Sequence, residues 1–212
     1  MVYEIIESLI DEDYPSNWNV EEFKQLTSFN ARIKYCEANL RRISSGSSRI
    51  VYQIDNEKVL KLAKNQKGLA QNEVEIEYSK EGMLTDVVAT IFNYDEKNLW
   101  VEMELARKLS VKAFQNITGV PFELFAQAVH NYGQDANGGR NSFRYTIEPE
   151  VLEELWENEF VYDIFQLIGN YGVPAGDLAR MNSYGIVKRG GDDIVILIDY
   201  GLTSDVYDSY YS

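Results

Sequence analysis

The sequence has a single cysteine, Cys36, so no intrachain disulfide can form and a reducing compartment is expected. One histidine, His130, joins it, and the pair supplies too few soft ligands for a structural zinc site. Positive charge is scarce too: 20 Lys and Arg stand against 34 Asp and Glu in 212 residues, a formal charge of −14. Phosphate neutralisation needs basic surface, so general nucleic-acid binding is excluded, and docking on anionic lipid with it. The longest apolar run, Ile194–Ile198, is too short to cross a bilayer. Met1 to Asp13 is acidic, where a secretion signal begins basic. These absences predict a soluble, cytoplasmic protein without a membrane partner. No repeat, low-complexity tract or Pro- or Gly-rich linker divides the chain.

What is present suffices for a core: 45% hydrophobic residues, 13% aromatics and fifteen tyrosines, suited to half-buried contacts with a polar tip. Asn19-Val20-Glu21-Glu22 predicts the start of a helix running toward Arg42, with Phe23, Leu26, Phe29, Ile33 and Leu40 on one side. Strands are predicted at Ile50–Ile54 and Lys58–Ala63 around an Asp55-Asn56 turn, then a helix over Leu69–Tyr78. Strands Val87–Phe92 and Leu99–Leu105 follow, joined by Tyr94–Asn98. The second half predicts a helix over Pro121–Tyr132 and a Gly- and Asn-rich loop, Gly133–Ser142. A long helix from Pro149 to Ile168 comes next, with Leu152, Trp156, Phe160, Ile164 and Ile168 at every fourth position and Gly169-Asn170 ending it. Its other face carries Glu150, Glu153, Glu154, Glu157 and Glu159, read as a solvated surface with docking of a basic partner as the alternative. After the loop Tyr171–Ser183, strands Gly185–Lys188 and Asp193–Ile198 flank Arg189-Gly190-Gly191-Asp192. A strand-rich front and a helical back predict two lobes of α+β type.

Four places offer chemistry. Small residues in Ser44-Ser45-Gly46-Ser47-Ser48-Arg49-Ile50-Val51 let main-chain N–H groups approach a phosphate, although a plain Ser/Gly turn reads the same way. Lys61, in an otherwise apolar strand, can reach phosphate oxygens, or can be a surface lysine on an edge. Glu75 on the next helix can neutralise it, with Glu73 and Glu77 as alternatives. Asp177 and Asn182 lie five apart in one loop, a carboxylate to accept a hydroxyl proton and an amide to hold a cation. Asp199 ends an apolar strand, in the manner of a divalent-ion ligand, and either Asp also suits a turn or cap.

The order of these features resembles the protein-kinase-like superfamily. Ser44-x-Gly46-x-x-Arg49-x-Val51 resembles the glycine-rich loop, with its first and third glycines replaced. Lys61 falls where V-A-I-K places its lysine, and Asp177–Asn182 fits D-L-x-x-x-N. Asp199-Tyr200-Gly201 fits D-F-G, and Gly176-Asp177-Leu178 is similar to the H-G-D-L of aminoglycoside phosphotransferases. The resemblance implies an antiparallel-sheet N-lobe at 43–106, a reduced, mostly helical C-lobe at 107–212, and a helical extension at 1–42. It implies ATP held by Gly46, Ser47, Ser48, Arg49, Val51 and Lys61, with adenine at a hinge containing Glu104 and Ala106. Asn182 and Asp199 would hold Mg²⁺, Glu75 would steady Lys61, and Asp177 would position the acceptor hydroxyl of a protein or small molecule. The tail tyrosines Tyr207, Tyr210 and Tyr211 are candidate acceptors in autophosphorylation.

Ala175 stands where both kinase patterns have a histidine, and eleven residues follow Gly201, too few for an A-P-E segment within this chain. Short kinase-like proteins of this shape resemble ones encoded by bacteriophages and some bacteria, which would put the protein in the host cytoplasm. These departures keep two other readings open: a pseudokinase that binds nucleotide or a partner without turnover, and transfer of AMP rather than phosphate.

Overall fold

The polar turn at Asp55 organises the first half of the chain. In the computed structural model, which describes residues 15, 18–80, 86–136 and 144–210, the Asp55 carboxylate accepts from the N–H groups of Glu57 and Lys58 at 2.6 and 2.7 Å. This is an Asx turn, and it joins β2 (Arg49–Gln53) to β3 (Lys58–Ala63). With β1 (Arg41–Ser45), β4 (Ile91–Tyr94) and β5 (Trp100–Glu104) they form an antiparallel sheet in the order β1-β2-β3-β5-β4. Of the segments read from sequence, Met1–Asp13, residues 137–142 of the predicted loop and Tyr211 lie outside the described residues.

Two helices, α1 (Val20–Gln25) and α2 (Phe29–Asn39), stand where the sequence predicts one. Asn19 caps α1 as expected, but Ser28 accepts from the Ala31 N–H at 3.2 Å and starts a new helix. Chain from Arg41 onward leaves the helix for β1, whose five residues are all exposed. With no buried alternation, this edge strand carries no period-2 signal. Trp18, Phe23, Cys36, Tyr52, Leu60, Leu62 and Trp100 bury together in the core of this unit, Phe23 and Trp100 with ring centroids 6.2 Å apart.

Cα geometry divides the chain into two compact units: Met1–Asn72 with Ile91–Leu105, and Glu73–Thr90 with Ala106–Ser212. The helix α3 (Gln66–Tyr78) contributes to each. In the second unit, β6 (Arg107–Lys108), β7 (Tyr184–Arg189) and β8 (Asp192–Leu197) make a three-stranded sheet. Gly190 and Gly191, at φ 61° and 99°, supply the left-handed pair that a two-residue hairpin demands. Val87–Phe92 was expected as a strand. Instead Val87 and Ala89 bond to Leu197 as a short parallel bridge, and the strand begins at Ile91.

The helices of this unit are α4 (Val111–Thr118), α5 (Phe122–Ala136), α6 (Pro149–Glu157), α7 (Glu159–Tyr171), α8 (Ala175–Leu178) and α9 (Ser204–Tyr210). The predicted long helix is two, because Asn158 leaves the helical conformation and caps α7 through the Val161 N–H at 3.1 Å. Leu152 and Trp156 are consequently exposed rather than part of one continuous stripe, and α7 runs past Gly169-Asn170 to a left-handed Gly172. Phe114, Phe125, Phe160 and Tyr184 pack with centroid separations of 5.2 to 6.2 Å. Two tyrosine tips reach carbonyls: Tyr78 donates to Tyr171 and Tyr184 to Leu178, each at 2.7 Å. Among the described residues no helix is long and apolar enough to cross a membrane. The architecture is α+β.

Candidate active site

In the first unit, the turn Gly46-Ser47-Ser48 is bolted to the start of α3. Lys64 Nζ donates to the Gly46 carbonyl at 2.8 Å, Asn65 Nδ2 to Ser47 at 3.1 Å and the Lys64 N–H to Ser48 at 2.8 Å. In a trans peptide N–H points opposite to C=O, so the N–H groups of Ser47, Ser48 and Arg49 face away from that anchor. Gly68 makes the close approach possible: a Cβ there would lie 2.4 Å from the Ser48 carbonyl oxygen. The Ser48 hydroxyl donates to Gln71 Oε1 at 2.7 Å, and the buried Arg49 guanidinium donates to Asn72 Oδ1 at 3.4 Å. Arg49 is thus turned into its own unit, a role for which its place in the glycine pattern gave no signal.

Lys61 lies on β3, the central strand of the five, opposite Val51 on β2 and Val101 on β5. It is 5% exposed, which removes the edge-lysine reading. An ammonium buried at the middle of a sheet is costly unless paired, so such a position is reserved for a cation with a task or a partner. Glu104 ends β5 opposite Lys58, and the Leu105 N–H donates to Glu57 at 2.7 Å.

In the second unit, Glu75 is 0% exposed while Glu73 and Glu77 are exposed. Ala106 borders Gly185, where an added Cβ would come within 2.4 Å of the Ala106 Cβ. Asp177 sits on α8, and the segment after it is closed by a short 3₁₀ turn, Met181–Ser183, that carries Asn182. Ser183 donates through its hydroxyl to the Asp177 carbonyl at 2.7 Å, and the Ile198 N–H donates to the Ser183 carbonyl at 2.8 Å. That second bond ties the end of β8, and so Asp199, to the same turn. Tyr200 is buried beneath, its hydroxyl donating to Ala89 at 3.4 Å, while Asp199 is exposed.

The Asp177 carboxyl titrates above its ordinary range because it is half-buried, with Asp199 adding repulsion and Arg180 opposing both. Arg180 Nη1 stands 3.0 Å from Asp177 Oδ1. Sequence reasoning overlooked Arg180, Ser183 and Tyr184, and only the i,i+3 spacing of Asp177 and Arg180 carried a signal. Two places before Asp177, Ala175 packs closely against α5: a Cβ on Gly133 would lie 2.3 Å from the Ala175 Cβ. His130 is half-buried on α5 with its ring stacked 6.2 Å from that of Tyr145, outside this cluster.

Asn182 and Asp199 offer hard oxygen donors, the type that suits magnesium, which takes one or two protein ligands and completes its shell with water and phosphate. Among the described residues no three His, Cys, Asp or Glu side chains gather as a metal cage.

No protein-family profile and no curated protein matches the sequence. Among solved structures the chain is similar to phosphotransferases and kinases. An aminoglycoside phosphotransferase in complex with streptomycin and ATP aligns with 83% of this chain and 72% of its own, at 13% identity and TM-score 0.37. Choline kinase from Cryptosporidium parvum aligns with 95% of this chain and 65% of its own, at 14% identity and TM-score 0.37. SAICAR synthase from Saccharomyces cerevisiae covers 78% and 74%, at 11% identity and TM-score 0.35.

Proposed function

We propose that the chain is an ATP- and magnesium-dependent phosphotransferase of the protein-kinase-like class, acting on a hydroxyl of a protein or small molecule. The observation that supports it most is the second unit's stapled segment, where Ser183 links Asp177, Asn182 and the strand β8 that leads to Asp199. On this reading the acceptor hydroxyl oxygen attacks the γ-phosphorus as the bond to the β,γ-bridging oxygen breaks, and ADP leaves. Asp177 receives the hydroxyl proton and orients the acceptor. Lys61 is assigned to the phosphates as a fixed positive charge with Glu75 as its counter-charge, and the turn after Gly46 offers the N–H groups of Ser47, Ser48 and Arg49. Val51 borders the nucleotide beside Lys61, and the Glu104–Ala106 main chain receives adenine. Asn182 and Asp199 would hold magnesium, whose charge neutralises the phosphate oxygens.

The test is transfer of labelled γ-phosphate by the purified chain, offered protein and small-molecule hydroxyls including its own Tyr207 and Tyr210. Asp199→Ala abolishes transfer, and Asp177→Asn lowers kcat at least about a hundredfold. Transfer that persists in Asp199→Ala overturns the metal role, and a labelled AMP product reassigns the reaction to adenylyl transfer.

A second reading, a pseudokinase that binds nucleotide or a partner, is favoured by one observation: Asp177 is engaged by Arg180. Thermal stabilisation by Mg²⁺-ATP without any transfer of label supports it.

A further inference from the structure

From Ala113 to Ala136 and from Tyr145 to Ala179 the sequence has no lysine or arginine. Those stretches build α5, α6 and α7 and nearly all of α4, so this part of the second unit presents carboxylates alone. Where the α4–α5 turn meets α6 there is an open groove of about 270 Å³, lined by Val120, Pro121, Leu124, Val151, Glu154 and Leu155. Its walls are fixed to each other: Asn158 Nδ2 donates to the Thr118 carbonyl at 2.8 Å, and Gly119, at φ 79°, turns the chain beside it. Val120, Pro121, Leu124, Val151 and Leu155 supply the apolar part of its lining, beside the polar Asn158. Glu154 stands exposed on the lip, with the exposed Glu150 and Glu157 on the same side of α6 and Glu123 in the first turn of α5.

We propose that this groove docks a basic amphipathic segment of a partner protein, seating one large apolar side chain between α5 and α6 while flanking lysines or arginines meet Glu123, Glu150, Glu154 and Glu157. Charge complementarity selects this occupant. The groove volume suits a leucine- or methionine-sized side chain, and a rim of one sign attracts cations and repels acidic segments. A second copy of the chain, itself at −14, is repelled. The inference does not rest on the phosphotransferase reading.

The experiment is fluorescence anisotropy of the full chain with a short labelled peptide, a central leucine flanked on both sides by lysines and arginines. A second peptide carries alanine at the centre. The leucine peptide binds at least about ten times more tightly, and binding weakens as ionic strength rises from about 50 to about 300 mM. Glu154→Lys, an exposed site that leaves the melting temperature unchanged, reduces leucine-peptide affinity about tenfold. Leu124→Gln erases the preference for leucine over alanine. Equal affinity for the two peptides, or unchanged binding in Glu154→Lys, overturns the proposal. A dimer in sedimentation that Glu154→Lys dissociates gives the groove to a second copy and overturns it equally.

Discussion

The Ser183 hydroxyl donates to the main-chain carbonyl of Asp177 across 2.7 Å, while the Ser183 carbonyl accepts from the Ile198 N–H at 2.8 Å. One small residue therefore fixes both the segment bearing Asp177 and the strand that delivers Asp199. Ser183→Ala deletes the first bond and keeps the second. Urea denaturation is expected to report a loss of about 1 kcal/mol. On the phosphotransferase reading, transfer falls by more than that loss of folded protein accounts for, because Asp177 is then less firmly held.

Asn158 serves two helices at once, capping α7 through the Val161 N–H and holding the end of α4 through the Thr118 carbonyl. Asn158→Ala loses both and costs about 2 kcal/mol. Asn158→Asp keeps the cap acceptor and loses only the donor, so its thermal melt falls between wild type and Asn158→Ala. Equal melting of the two variants would show that the cap contributes nothing.

At Gly133 the absence of a side chain decides how near α5 comes to α8. Gly133→Ala brings a methyl to 2.3 Å from the Ala175 Cβ and is expected to cost about 1–3 kcal/mol. Adding Ala175→Gly removes the clashing atom, so the double variant recovers stability beyond the sum of the single effects. Additive losses in denaturant would rule out direct contact as the cause.

Cys36 is fully buried, and burial pushes its thiol up to about 12. The reactive thiolate is therefore almost absent at pH 8 in the folded protein. An aromatic disulfide reagent should leave Cys36 unmodified in native protein and titrate one thiol after urea unfolding. Rapid modification without denaturant would count against this packing. The sign for stability follows: a folded-state pKa above the unfolded one means the contribution is complete below the unfolded value and is lost as pH rises toward 12.

Much of the strand pattern was legible because turn chemistry is local. Asp55-Asn56 and Gly190-Gly191 announced their hairpins, and Lys58–Ala63 read correctly as a strand. The helix breaks were not legible. Ser28 and Asn158 lie inside stretches whose apolar spacing continues across them, and a cap wins there only because the main chain turns. Strand β1 was hidden because all its residues are exposed, so neighbouring β2 rather than its own pattern selects it. For the candidate site, residue type and spacing pointed to Lys61, Asp177, Asn182 and Asp199, and the structure links the last three through Ser183. The inward turn of Arg49 and the Arg180 partner of Asp177 depend on contacts that spacing does not encode.

The exposed strand β1 has a consequence for the protein in concentrated solution. Edge strands invite pairing with other chains, and a long flat one templates aggregates. Here Arg41 and Arg42 place two like charges at the rim, and a bulge between Arg42 and Ser44 breaks the register another strand would follow. The sheet that holds Lys61 at its centre thus ends in a margin that discourages growth, and the chain keeps its β-structure to itself.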